Sequence, residues 1–189
     1  MGQISTAEFR KGLKIEIEGE PFVMVDFQHV KPGKGTAFVR TRIKSLTSGN
    51  VLERTFRSGD RVDAPNLEER SMQYLYAEAD SFLFMDQKNF EQVSIDREHL
   101  GEAADYLKDD LVVRVLFHNG QSIGVEMPTF IELKVVEAKP GVRGDTATGG
   151  TKLATMESGV VVQVPLFVEE GEVIKVDTRT GTYVERVSK

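Results

Sequence analysis

The chain contains no cysteine, which excludes disulfides, thiolate metal sites and a cysteine nucleophile. Histidine is scarce: His29, His99 and His118 lie far apart without ligand spacing, so no metal site is expected. No uninterrupted apolar run approaches the roughly eighteen residues of a membrane span, and the N-terminal stretch lacks the apolar core of a signal peptide. These absences point to a soluble, cytoplasmic protein. Catalytic signatures are missing too. There is no G-x-S-x-G, and "GKGT" at Gly33–Thr36 fails the phosphate-loop pattern, because Gln28 stands where a glycine is needed and Gly35 where Ser or Thr should follow the lysine. The acid pairs Glu68-Glu69, Asp109-Asp110 and Glu169-Glu170 are consecutive and read as solvated charge. No catalytic residue, no cofactor and no enzyme activity are expected.

What is present is a chain of short β-rich runs punctuated by 17 glycines, with 40% hydrophobic residues available for cores. Pro-containing breaks at Asp63–Asn66 ("DAPN") and Met127–Thr129 ("MPT") interrupt the strand pattern and suggest three segments, 1–63, 64–128 and 129–189. The first has alternating runs at Lys14–Ile17, Phe22–Val30, Ala37–Leu46 and Val51–Phe56, joined by turns such as "EGEP" and "TSGN". The second has runs in "SMQYLYAEADSFLFMD" and "FEQVSI", a helical stretch at "LGEAADYL", and a hairpin marked by Asn119-Gly120. The third has "TFIELKVVEA", a glycine-rich loop "KPGVRGDTATGGTK", then "GVVVQVPLFV", "GEVIKVDT" and "TYVERVS". The expected fold class is all-β, three small barrels with little helix, the second and third of the five-stranded OB type.

Charge is unevenly spread within a net −6. Residues 1–63 carry 11 Lys and Arg against 8 Asp and Glu; residues 64–128 carry 5 against 13. Lys31, Lys34, Arg40, Arg42 and Lys44 fall within fourteen residues that hold no acid. Because Arg40, Arg42 and Lys44 alternate with Val39, Thr41 and Ile43, a strand here places three cations on one side, a footprint suited to a phosphate backbone. The run "KPGKG" (Lys31, Pro32, Gly33, Lys34, Gly35) sits at the tip of this hairpin. Pro-Gly is ordinary turn chemistry, but two lysines at one tip are more than a turn needs.

Residues Lys152–Gly171, "KLATMESGVVVQVPLFVEEG", resemble the signature of the bacterial elongation factor P family at Lys152, Ala154, Gly159, Val162, Val164, Pro165, Val168 and Gly171. "FRKGLKIEIEGEPF", "KPGKGTAF", "GDTATGG" and "GEVIKVDTRTGTYVERV" extend the resemblance along the chain. It implies an N-terminal KOW/SH3-like barrel and two OB-folds, arranged as an L-shaped mimic of transfer RNA. It implies partners as well: the 70S ribosome, ribosomal RNA, peptidyl transfer RNA beside which Lys34 reaches toward the peptidyl-transferase centre, and messenger RNA near the exit site, faced by Gly144, Asp145 and Thr146. The tip is similar to the branch in which a modifying enzyme extends this lysine by β-lysylation. In that frame Lys31, Arg40, Arg42 and Lys44 are phosphate contacts, Pro32 stiffens the ascent, Gly33 and Gly35 serve φ > 0 or close approach, and the protein acts as a monomer away from membranes.

Two other readings stay open from the residues alone. The basic stripe also suits a ribosome-independent RNA-binding or transcription-associated KOW/OB module. A Schiff-base enzyme using Lys34 needs walls that desolvate the amine, which a glycine-flanked tip does not supply.

Overall fold

The computed structural model describes residues 2–138 and 150–187, and strand dominates them. The first sheet comprises β1 (Gln3–Ser5), β2 (Lys14–Ile17), β3 (Glu20–Val30), β4 (Phe38–Ser45), β5 (Val51–Arg57) and β6 (Arg61–Asp63), in the order β1-β6-β2-β3-β4-β5. The alternating runs of the sequence correspond to β2 through β5. The remaining two strands, β1 and β6, are three residues each and pair Gln3 with Asp63 and Ile4 with Val62. They are too short to show a period, and burial of Val62 in the barrel core holds them in place. Glu18 and Gly19 both have positive φ, +53° and +80°, and close a two-residue turn between the paired Ile17 and Glu20, which is the "EGEP" turn.

The second sheet holds β7 (Leu67–Glu78), β8 (Ser81–Asp86), β9 (Gln92–Asp96), β10 (Val112–His118) and β11 (Gln121–Glu126), in the order β11-β10-β7-β8-β9. Asn119 and Gly120, at φ +49° and +82°, form the tight turn from β10 to β11 that their dipeptide signals. The helical stretch expected at residues 100–107 takes a different form. A four-residue α-helix, α1 (Arg97–Leu100), comes first, and Gly101–Tyr106 continue as a 3-10 helix. Gly101, at φ +55° and ψ −135°, stops the α-helix, while Leu100, Ala104 and Leu107 turn their side chains inward.

The third sheet holds β12 (Phe130–Ala138), β13 (Thr151–Met156), β14 (Val161–Pro165), β15 (Val173–Asp177) and β16 (Thr182–Arg186), in the order β14-β13-β12-β15-β16. Thr151 and Lys152, read as the end of a loop, open β13 instead. They pair with Pro165 and Val164, and Ala154 and Met156 of the same strand are buried, so ladder and core together make a strand over Thr151–Met156 where the alternating runs of the sequence mark none. Each sheet curls about its own apolar residues into a barrel-like module.

The chain divides into two compact units. One runs to Glu69 and takes in Leu116–Gly124. Within it, His118 Nε2 lies 2.7 Å from Glu16 Oε2, both side chains largely shielded, and the Asn119 amide donates to the Asn66 carbonyl at 3.2 Å. The other unit holds Arg70–Val115 and the chain from Val125 on. There, Tyr106 and Leu111 pack on the core of the third sheet, and Lys108 pairs with Glu157 at 3.7 Å. No helix among the described residues is long and apolar enough to cross a membrane.

Gly181 is a point of close approach within this second unit. Its φ is +68°, its amide donates to the Asp177 carbonyl at 2.8 Å, and a Cβ built on it would stand 2.9 Å from the Tyr106 hydroxyl oxygen. Gly181→Ala therefore lowers stability to urea by about 1–2 kcal/mol from the left-handed backbone alone, with a steric part on top. Removing the oxygen with Tyr106→Phe relieves the steric part, so the double variant is more stable than the sum of the single effects. Strict additivity would show that the contact is loose.

Candidate nucleic-acid interface

Strand β4 is hydrogen-bonded on both sides, to β3 and to β5, along nearly its whole length. Its residues alternate strictly. Val39, Thr41, Ile43 and Ser45 are buried, whereas Arg40, Arg42 and Lys44 are exposed. Val39 and Ile43 are fully enclosed, and the Thr41 hydroxyl is satisfied by donating to the Arg54 carbonyl at 2.7 Å. Sliding β4 by one residue would bury three cations, so the apolar side fixes the basic side. The three cations of the stripe thus share one open face.

Their surroundings differ, and sequence spacing does not reveal this. Residues paired across a ladder project from the same face of the sheet. Arg40 stands between Gln28 and Thr55, Lys44 between Val23 and Val51, but Arg42 stands between Asp26 and Glu53. The cause is a β-bulge in β3. Register shifts between Met24 and Asp26, so Asp26 rather than Val25 lies opposite Arg42. Asp26 also meets Lys11 at 3.1 Å. The hydrogen bond from Lys11, then its charge, holds the Asp26 carboxyl below its ordinary value, with Arg42 a smaller contributor.

Beyond the ladder, residues 31–37 form the loop from β3 to β4. Lys31, Pro32, Gly33, Lys34 and Gly35 are all exposed. Neither lysine has a hydrogen bond or ion pair among the described residues. Gly35 has φ +116°, a conformation that favours glycine, and its missing Cβ would face Pro32 Cγ at 3.7 Å. Gly33 departs from expectation, for its φ is not left-handed and a Cβ there meets nothing within 4 Å. The base of the loop is pinned where the Ser58 amide donates to the Ala37 carbonyl at 2.9 Å. Gly144, Asp145 and Thr146 lie outside the described residues. Among the described residues no group of His, Asp and Glu is placed to hold a metal ion.

Comparison with known proteins identifies the lineage of this hairpin and its barrel. Residues 5–62 match a family model described as the elongation factor P KOW-like domain, 67–125 the elongation factor P OB domain, and 122–186 elongation factor P, C-terminal. The chain is 55% identical over 183 residues to elongation factor P of Moorella thermoacetica, covering 97% of this chain and 99% of that protein. The chain belongs to the elongation factor P family. It is also 52% identical to elongation factor P of Campylobacter fetus subsp. fetus, over the full length of both. A translation elongation factor is therefore the class to which it belongs. Among solved structures it resembles eukaryotic translation initiation factor 5A from Methanococcus jannaschii, with a TM-score of 0.57 and 23% identity over 67% of this chain and 94% of that one, a likeness of fold.

The Asp26 environment carries a pH signature. A carboxyl whose folded pKa is depressed stabilises the fold above its unfolded pKa, and that contribution is lost as pH falls through the folded value. In Lys11→Met the Asp26 carboxyl, followed by NMR, titrates closer to its ordinary 3.8. The stability difference between wild type and this variant shrinks as pH drops below the ordinary carboxylate range. An unmoved Asp26 titration would mean that Lys11 does not hold it.

Proposed function

We propose that this elongation factor enters the ribosome beside peptidyl transfer RNA and stimulates peptide-bond formation at consecutive prolines by positioning that transfer RNA with the Lys34 tip. The observation that carries this reading is the tip itself: an exposed lysine without a partner, at the apex of a loop whose two stems belong to one three-stranded ladder. An ammonium on a four-carbon stem is a compact point charge suited to phosphate and ribose oxygens in a narrow RNA passage. Extension of Lys34 by a modifying enzyme, the β-lysylation that its flanking sequence suggests, lengthens the arm and keeps a cation at its end.

Proline is a slow partner in peptide transfer because its amine is secondary and its φ is fixed. Relief by positioning needs no acid or base. Well-oriented intramolecular reactions gain about 7–11 kcal/mol, and a hundredfold acceleration needs only about 2.7 kcal/mol. In this reading residues 1–63 carry the reactive end, with Lys31, Arg40, Arg42 and Lys44 as its basic face. Residues 64–128 supply an acidic module that faces ribosomal protein, and residues 129–189 bring Gly144, Asp145 and Thr146 to messenger RNA near the exit site. The protein works as a monomer in the cytoplasm and is not itself an enzyme.

Lys34→Ala tests the tip. One exposed loop residue contributes little to folding, so the variant keeps its thermal unfolding temperature and most of its ribosome affinity. Its stimulation of synthesis through a polyproline stretch, measured in a reconstituted translation system, falls to the level without factor. Full stimulation by Lys34→Ala would remove the tip from the mechanism.

A further inference from the structure

The ladder of the first sheet places a cation on the proposed RNA face that sequence spacing does not reveal. Arg57 is the last residue of β5 and lies opposite Phe38, while Arg40, two residues along β4, lies opposite Thr55. Phe38 and Arg40 project from the same face of their strand, so Arg57 and Arg40 are diagonal neighbours on it. Diagonal positions on an antiparallel pair stand about 7–8 Å apart, and two arginine side chains from such positions reach successive phosphates of one strand.

The setting of Arg57 is fixed by what surrounds its backbone. Phe56 beside it is buried, edge-on to Phe9 with ring centroids 5.4 Å apart, and is paired with the fully buried Val39. A turn follows at once: the Arg57 amide donates to Asp60 Oδ2 at 2.8 Å, the Asp60 amide returns to the Arg57 carbonyl at 3.0 Å, and the Gly59 amide donates to Thr6 Oγ1 at 2.9 Å. The Asp60 carboxylate is thus engaged with backbone. The Arg57 side chain is exposed and has no ion pair among the described residues.

Charge along this face is uneven, since Lys44 stands between Val23 and Val51 while its neighbour on the stripe does not share that apolar setting. Toward the base, Arg42 is flanked by Asp26 and Glu53. Toward the tip, Arg40 and Arg57 face Gln28, Thr55 and Phe38, and beyond them come Lys31 and Lys34 without an acid on the loop. We infer that Arg40 and Arg57 form a two-guanidinium clamp on the sugar-phosphate backbone of the RNA strand that Lys34 approaches, and that Arg42, with Asp26 and Glu53 at its two ladder positions, contributes less to that contact. This rests on the proposed ribosomal role. A protein partner is the alternative occupant, and salt dependence separates the two, because only a polyphosphate releases condensed counterions on binding.

The test is binding of the full-length protein to 70S ribosomes carrying peptidyl transfer RNA, measured over a range of salt concentrations. Arg40→Gln and Arg57→Gln each weaken binding and each lower the slope of log affinity against log salt by about 0.7–0.9. Arg42→Gln lowers it by less than either. Arg54→Gln, one strand position before Thr55 on the opposite face and paired with Glu18 at 3.4 Å, leaves the slope as in wild type. A wild type that binds with a clear salt slope, left unchanged by Arg57→Gln, overturns the clamp alone. A wild type that does not bind ribosomes, or binds without salt dependence, overturns the ribosomal reading and the clamp with it.

Discussion

The burial of Val39, Thr41 and Ile43 under the first sheet is the constraint on which the rest depends. A strand has only two faces, so enclosing these three residues leaves no place for Arg40, Arg42 and Lys44 except solvent. The same register sets what faces each cation, where β3 and β5 end, and therefore where the loop of residues 31–37 begins. Packing energy in the barrel is thus spent on aiming a hairpin. A loosely held β4 would leave Lys34 on a flexible ribbon, and in the proposed role an arm that is itself unpositioned gains little from proximity.

Rigid stems and a free tip divide the labour within one hairpin. The stems are tied by ladder hydrogen bonds on both sides of β4, and the bulge at Val25 adjusts the face without breaking the pairing. The tip has no such ties. Its lysines are spared the internal salt bridges that occupy Lys11, Lys14 and Arg54 in the same barrel. A cation already satisfied by a carboxylate must give up that partner to bind phosphate, whereas Lys31, Lys34, Arg40 and Arg57 need not.

Where the chain states its structure locally, the sequence is readable. Asn119-Gly120 and Glu18-Gly19 specify their turns because few dipeptides accept two positive φ angles. The alternation in residues 38–45 is unambiguous because every second residue is apolar or small. What depends on remote partners is not readable. β1 and β6 exist because they pair with each other across the barrel, and Thr151 joins a strand because Pro165 lies beside it. The bulge that sets Asp26 against Arg42, and the alignment that brings Arg57 to the basic face, are properties of two strands taken together. A periodic signal was available for Arg57, in the alternation of Thr55 and Arg57 about the buried Phe56, but its relation to Arg40 required the register. Gly33 shows the converse, a residue whose local conformation does not call for glycine.

The central claim is that the Lys34 amine is carried on a rigid hairpin to the 3′ end of peptidyl transfer RNA. Cryo-electron microscopy of the factor on ribosomes halted at consecutive prolines measures this directly. The prediction is density for Lys34, with any extension it bears, within hydrogen-bonding distance of oxygens at that 3′ end, while the strands on either side keep their pairing. A bound factor whose tip turns away from the transfer RNA, or folds back on its own barrel, would contradict it.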